Sequence, residues 1–407
     1  MRFSLFNTDL KKCIPGASPR VTDSSLVFPP PRLRVLQLAL AFLAILGAWA
    51  PGGETRFYLG TFASESPGIY MGSIDTGTGR LGPLGLAAQA ESPNFVALSP
   101  DGKFLYAATR NRGGGASAFA AGLAGKLVPL NNQSSGGDDP CHIWVDATGR
   151  NVLVANYSGG SIACFKTKTD GSLGKRTALV KYTGSGLDPK RQQKPFAHSV
   201  YTDASNRFVY SCDLGTDNIW IFKFDADKGT LTPAEPPSVK VPPGSGPRHL
   251  AFHPNGRLVY SANEMGLSVT AFARDPAGGA LTVLETVSTL PEDAPTAGAT
   301  TAEIACHPSG KWLYVSTRGP DTITVFAIAA DGKLSRIQNA SAHVKTPRGF
   351  AIDPAGQWLI TAGQDDGKIA VLRIDPATGL LTSTDQTAKA TSPVCVLFAP
   401  SAASPSQ

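Results

Sequence analysis

From residue 54 onward, short apolar runs alternate with turn residues almost without interruption. PNFVALSP (93–100), PCHIWVDA (140–147), AHSVYTDA (197–204), PRHLAFHP (247–254), TAEIACHP (301–308), PRGFAIDP (347–354) and PVCVLFAP (393–400) are seven versions of one run. Each reads as a short strand ending in a corner. Six are followed by a second apolar run, as in DGKFLYAAT and NGRLVYSAN, and then by an alternating third run such as SVTAFAR or TITVFAI. A Gly-x-Leu hairpin follows, ending at Leu81, Leu127, Leu173, Leu231, Leu281, Leu334 and Leu381, and leads into a fourth strand. Glycine supplies the positive φ that the hairpin needs.

The two seven-fold series are out of step at the ends. The last first-strand run (393–400) has nothing after it, and the first Gly-x-Leu (79–81) has no first-strand run before it. The two fragments add up to one unit. Four-stranded units of about 50 residues arranged radially make a β-propeller, which protects its strand edges by closing a ring. The expectation is therefore an all-β, seven-bladed propeller over residues 54–400. Its first blade is completed by the C-terminal strand, and 401–407 form a flexible tail.

Composition agrees: 43 Gly and 32 Pro with only 17% charged residues suit many strands and turns. The formal charge of +6 misleads, because residues 1–50 hold six basic side chains (Arg2, Lys11, Lys12, Arg20, Arg32, Arg34) against Asp9 and Asp23. Four of the six net charges thus lie in the leader, and nothing points to a nucleic-acid partner. Within that leader, Val35–Ala50 (VLQLALAFLAILGAWA) is an uncharged apolar run ending in small-x-small. It predicts a signal peptide cleaved near Ala50 and export to the periplasm or beyond, with no stable membrane span afterwards. A mis-assigned start would instead leave the protein in the cytoplasm. Five cysteines beyond the leader are widely spaced, without C-x-x-C, and read as buried small residues.

Sameness breaks at two sets of positions. The second residue of each first strand and the residue eight beyond each corner fall at one mouth of the central channel. The first set includes Asn94, Cys141, His198, Arg248 and Arg348; the second includes Arg110, Tyr157, Leu214, Glu264, Arg318 and Gln364, with Ala63 in the composite blade. Ionisable groups gather on one side of that mouth. His198 and Glu264 can exchange protons if suitably tuned, and the arginines are fixed donors for a carboxylate, phosphate or oxyanion. Hydrolysis of an activated ester such as a lactone needs about this much. His198, Glu264, Arg248 and Arg318 are the candidate catalytic residues; Arg348, Asn94, Tyr157 and Gln364 are candidate substrate contacts. No cofactor is required and no metal-ligand cluster is predicted, since His253 and His307 sit at corners of the opposite face. Strict alternation turns His142, His249 and Glu303, which follow the mouth positions, away from it.

The runs PCHIWVDATGRNVLVANYSGGSIACF, PFAHSV, GPRHLAFHPNGRLVYSANE and TAEIACHPSGKWLYVSTRGPDTITVF resemble the seven-bladed lactonase family. That family includes bacterial 6-phosphogluconolactonases and fungal carboxymuconate-lactonizing enzymes. The resemblance covers residues 56–400 and implies a small-molecule lactone as substrate. In the fungal branch a His, two Arg and a Glu form the proposed site, and these fall on His198, Arg248, Arg318 and Glu264. A phosphorylated sugar lactone is a cytoplasmic metabolite, so an exported chain would favour an unphosphorylated aldonolactone. The rival readings are a non-catalytic ligand- or protein-binding propeller and a muconate-type cycloisomerase.

Overall fold

The computed structural model describes residues 53–400 except 63–64 and 111–113. The predicted leader and tail, and Ala63, lie outside the described residues. The described residues form 28 strands, β1 to β28 in chain order, arranged as seven four-stranded antiparallel sheets. Six sheets take four consecutive strands each. The remaining one has the order β28-β1-β2-β3, so β28 (Pro393–Phe398) pairs with β1 (Glu54–Thr61). The out-of-step ends of the repeat thus meet in one blade. The innermost strands contact one another in sequence and back to the start: β28 with β4 (Pro93–Leu98), then β8 (Pro140–Val145), β12 (Ala197–Thr202), β16 (Pro247–Phe252), β20 (Thr300–Cys306), β24 (Pro347–Ile352) and β28 again. The result is a closed seven-bladed β-propeller whose short inner edge strands are packed side by side around the channel.

Core packing lies between blades. Second-strand residues such as Tyr210, Tyr260 and Tyr314 are fully buried, between neighbouring sheets. Their hydroxyls latch each blade to the hairpin of the next: Tyr210 donates to Gly279 O (2.7 Å), Tyr260 to Gly332 O (3.1 Å) and Tyr314 to Gly379 O (2.7 Å). The same bond runs from Tyr106 to Gly171 O and from Tyr58 to Gly125 O. In the seventh blade Trp358 does this work, donating its indole N–H to Thr76 O across the ring closure (2.8 Å). The hairpin glycine is fixed twice over. Gly279 has φ +80, and a Cβ there would press into the Phe208 ring.

One irregularity recurs in every blade and positions the functional residues. Each innermost strand carries a β-bulge near its start. In β16, Pro247 pairs with Asn263 and His249 with Ala262, leaving Arg248 as the extra residue. The extra residues elsewhere are Asn94, Cys141, His198, Arg348 and Val394. In β20 the bulge takes Ala302 and Glu303 together, opposite Ser316. A bulge re-aims side chains and breaks strict alternation. His142 and His249 keep away from the mouth, as alternation predicted, and pack against one another inside the channel. Their rings meet each other at 5.2 Å, and both meet Phe95, so residues of three different blades converge on the axis.

Candidate active site at the bulged mouth

The second set of mouth positions is tied to the first by a repeated backbone bond. Glu264 N–H donates to Gly246 O (2.8 Å), Leu214 N–H to Phe196 O (3.0 Å), Tyr157 N–H to Asp139 O (2.8 Å) and Gln364 N–H to Thr346 O (3.1 Å). Each acceptor stands two residues before a bulged residue. The end of one strand and the bulge of its neighbour are therefore held side by side, which sets Glu264 against Arg248.

A pocket of about 290 Å³ opens at this mouth, and His198, Glu264, Arg318, Arg348, Asn94 and Tyr157 line it. Arg248 lies directly behind, its side chain 3% exposed and bound to Glu264. Gln364 is not among the lining residues. Of the proposed contacts, Asn94 is itself engaged, donating its amide to Pro140 O (2.9 Å). Cys141 also lines the wall, but its thiol donates to His198 O (3.2 Å), and burial pushes its pKa up to about 12. It stays protonated at neutral pH and is no nucleophile.

Glu264 is the hub. Its Oε2 stands 3.0 Å from Arg318 Nη2, 3.2 Å from Arg248 Nε and 3.9 Å from His198 Nε2, while Oε1 accepts from Arg191 Nη2 at 2.7 Å. Burial alone would raise its pKa, but Arg318, Arg248 and Arg191 together hold it down at about 2. It is a permanent carboxylate. His198 is also buried, and burial followed by the Arg248 charge keeps its pKa well below the usual imidazole value, so it is neutral. Its Nδ1 is buried without a partner, leaving Nε2 as the nitrogen on the Glu264 side. Burial, with Arg248 and Arg318 nearby, lowers Arg348 to about 9, still cationic at neutral pH. Arg348 and Arg110 both lie over the Phe62 ring, at 5.1 and 4.4 Å, and Arg110 donates to Asp139 Oδ1 (2.6 Å). Among the described residues, Arg110, Arg191, Arg318 and Arg348 on the pocket wall and Arg248 behind it bring five guanidinium groups to a wall that carries two carboxylates, Glu264 and Asp139, so the mouth has an excess of positive charge. Among the described residues no group of His, Cys, Asp or Glu is arranged to hold a metal ion.

Arg191 escaped the repeat-based reading because it belongs to no strand. It sits in the connection from β11 (Leu173–Lys181) to β12, reaching the mouth from outside. Gln192 anchors that connection: fully buried, it donates to Leu214 O and Asp217 Oδ1, both at 2.8 Å. Asp188 Oδ1 accepts the N–H groups of Lys190 and Arg191, which fixes the turn that presents Arg191. The signal in the sequence was the length of this connection, LDPKRQQKP included, where compact repeats keep loops short.

Residues 56–398 match the family described as a seven-bladed β-propeller lactonase. The chain is 33% identical over 345 residues to a 6-phosphogluconolactonase from Bacillus subtilis, covering 84% of this chain and 97% of that protein. It is 33% identical over 339 residues to a 6-phosphogluconolactonase from Formosa agariphila, covering 81% and 95% respectively. Among solved structures it is similar to a periplasmic gluconolactonase from Pseudomonas aeruginosa, at TM-score 0.80 and 27% identity, over 86% of this chain and 99% of that one. The chain belongs to the seven-bladed β-propeller lactonase family.

Proposed function

We propose that this protein hydrolyses a sugar lactone bearing an anionic group, at the mouth occupied by Glu264. The observation that carries the reading is the arginine excess around one charge-saturated carboxylate, which favours a negatively charged guest and a developing oxyanion alike. The relatives named as 6-phosphogluconolactonases and the periplasmic gluconolactonase support the substrate class. In this account water attacks the lactone carbonyl, and His198 Nε2 takes its proton. Arg318 holds the carbonyl oxygen as it becomes negative, and Arg248 supports it from behind. The tetrahedral intermediate collapses, the ring C–O bond breaks, and the imidazolium returns its proton to the departing ring oxygen. The product is an open-chain hydroxy acid, whose carboxyl proton is lost to solvent.

Glu264 serves as the fixed counter-charge rather than the base. A carboxylate held at a pKa of about 2 accepts protons poorly, whereas it stabilises an imidazolium 3.9 Å away. An anionic substrate helps further: burial does most to depress His198, and the Arg248 charge that adds to it is what a bound anion offsets. Arg348, Arg110 and Arg191 are assigned to the anionic substituent, and Asn94 and Tyr157 to the substrate's hydroxyls; Gln364 is given no role. The chemistry draws on no metal, because guanidinium groups supply the positive charge. Export is part of the reading as well: the Val35–Ala50 run and the periplasmic relative both favour it. A carboxylated aldonolactone then competes with a phosphorylated one as the natural guest.

The test is acid release at constant pH from glucono-lactone, its 6-phosphate and a carboxylated sugar lactone, each above its spontaneous rate. The anionic lactones should show the higher kcat/KM, with a preference that weakens as salt is raised. Equal rates on neutral and anionic lactones would remove the anion from the proposal.

A further inference from the structure

Below the pocket floor lies a second buried polar pair. Glu303, from the double bulge of β20, places Oε1 2.8 Å from His249 Nδ1 and accepts Ile304 N–H at 3.1 Å. His249 follows Arg248 on β16. Arg248 Nη1 stands 3.4 Å from both ring nitrogens of His249, so it rests on the ring rather than on one lone pair. The same Nη1 donates to Ala302 O at 2.7 Å, the residue before Glu303. On its other side the His249 ring meets the His198 ring edge-on, with centroids 5.1 Å apart. His249 therefore touches both groups given the central steps above, and Glu303 is the side chain that holds His249.

We propose that Glu303, through its hydrogen bond to His249, is a positioning residue for Arg248 and His198. The inference rests on the lactonase reading of the mouth. An ionised Glu303 accepts the Nδ1–H of His249, which fixes one tautomer and leaves the ring electron-rich beneath the Arg248 guanidinium. A protonated Glu303 can donate to Nδ1 instead and send the ring proton to Nε2. The polarity of the surface under Arg248 is then reversed. Glu303 also lines a cavity of about 550 Å³ at the opposite end of the channel, walled by Phe95, Trp144, Tyr201 and Phe350, so its proton exchanges away from the substrate.

The groups facing Glu303 are Arg248 and His249 from β16, His142 from β8, Tyr201 from β12, Arg348 from β24 and Cys395 from β28. Burial raises Glu303 to about 7 against the pull of Arg248, while burial keeps both histidines neutral. Glu264 near 2, Arg348 near 9 and His198 well below the usual imidazole value lie away from neutrality, so a limb near pH 7 that disappears in Glu303→Gln is the signature of Glu303.

The experiment uses the full chain and its Glu303→Gln, His249→Phe and double variants, with two readouts. ¹⁵N-histidine spectra at pH 8 should show His249 as the Nδ1–H tautomer, with a shift towards Nε2–H in Glu303→Gln. The pH profile of kcat on the best lactone should rise through about pH 7. In Glu303→Gln that limb should vanish and kcat should fall about tenfold, with KM changed less than twofold. The double variant should be no slower than His249→Phe alone, since the two act in series. Unchanged tautomer and pH profile in a folded Glu303→Gln protein, or additive losses in the double variant, would overturn the proposal. Should the wild type accelerate no lactone, the lactonase reading fails by itself, and the tautomer spectra still decide whether Glu303 governs His249.

Discussion

Glu264→Gln removes one charge and keeps the side chain's shape, which makes it the sharpest probe of the mouth. In the folded protein Glu264 is held at about 2 against a reference value of 4.5. A depressed carboxylate stabilises the fold above its unfolded pKa and loses that contribution as pH falls through the folded one. The shift corresponds to about 3 kcal/mol at pH 7, falling to less than half of that at pH 3 and towards zero below pH 2. Glutamine mimics the protonated acid, so wild type and variant should differ by about 3 kcal/mol in urea unfolding at pH 7 and converge on acidification. The assay is a pair of urea curves at each of several pH values, compared at constant slope. A difference that stays constant from pH 7 to pH 3, or a variant as stable as wild type at pH 7, would refute the three-arginine cage.

Glu303 should behave in the opposite sense: its raised pKa gives stability below about 4.5 that is lost as pH rises through about 7. Glu303→Gln should therefore be more stable than wild type at pH 8, by about 3 kcal/mol in urea unfolding. Arg191→Ala should raise KM for anionic lactones about tenfold with little change in melting temperature, because that side chain is 41% exposed and reaches in from a loop. Arg348 should lose its charge as pH rises through about 9, so KM for an anionic lactone should climb there, and Arg348→Gln should lack the climb. Tyr260→Phe leaves Gly332 O without its donor and should cost about 1 kcal/mol, read as a lowered melting temperature.

The repeat made the architecture legible. Seven first-strand runs and seven Gly-x-Leu hairpins out of step by one unit could close only as a ring, and β28 beside β1 is that closure. The mouth residues were legible for a related reason: packing keeps the blades alike, so departures such as Glu264 and Arg318 stood out against the pattern. Two things were not legible. Period-two alternation carries no mark of a bulge, and the bulges are what turn His249 and Glu303 towards the axis beneath Arg248. Arg191 belongs to the longest of the connections between an outer strand and the next innermost strand, so comparison between repeats could not align it. Gln364 shows the converse limit, since its slot is right and its side chain still does not line the pocket.

The central claim is that lactone hydrolysis takes place at the Glu264 mouth. Its most direct test is acid release from 6-phosphogluconolactone, comparing wild type with a folded Arg318→Ala variant. Arg318 lies 3.0 Å from Glu264 Oε2, and its loss should remove the oxyanion donor and lower kcat about 100-fold or more. Saturable acceleration in the wild type that collapses in the variant is the predicted result. A variant that keeps wild-type kcat and KM would place the reaction elsewhere on the propeller and contradict the account.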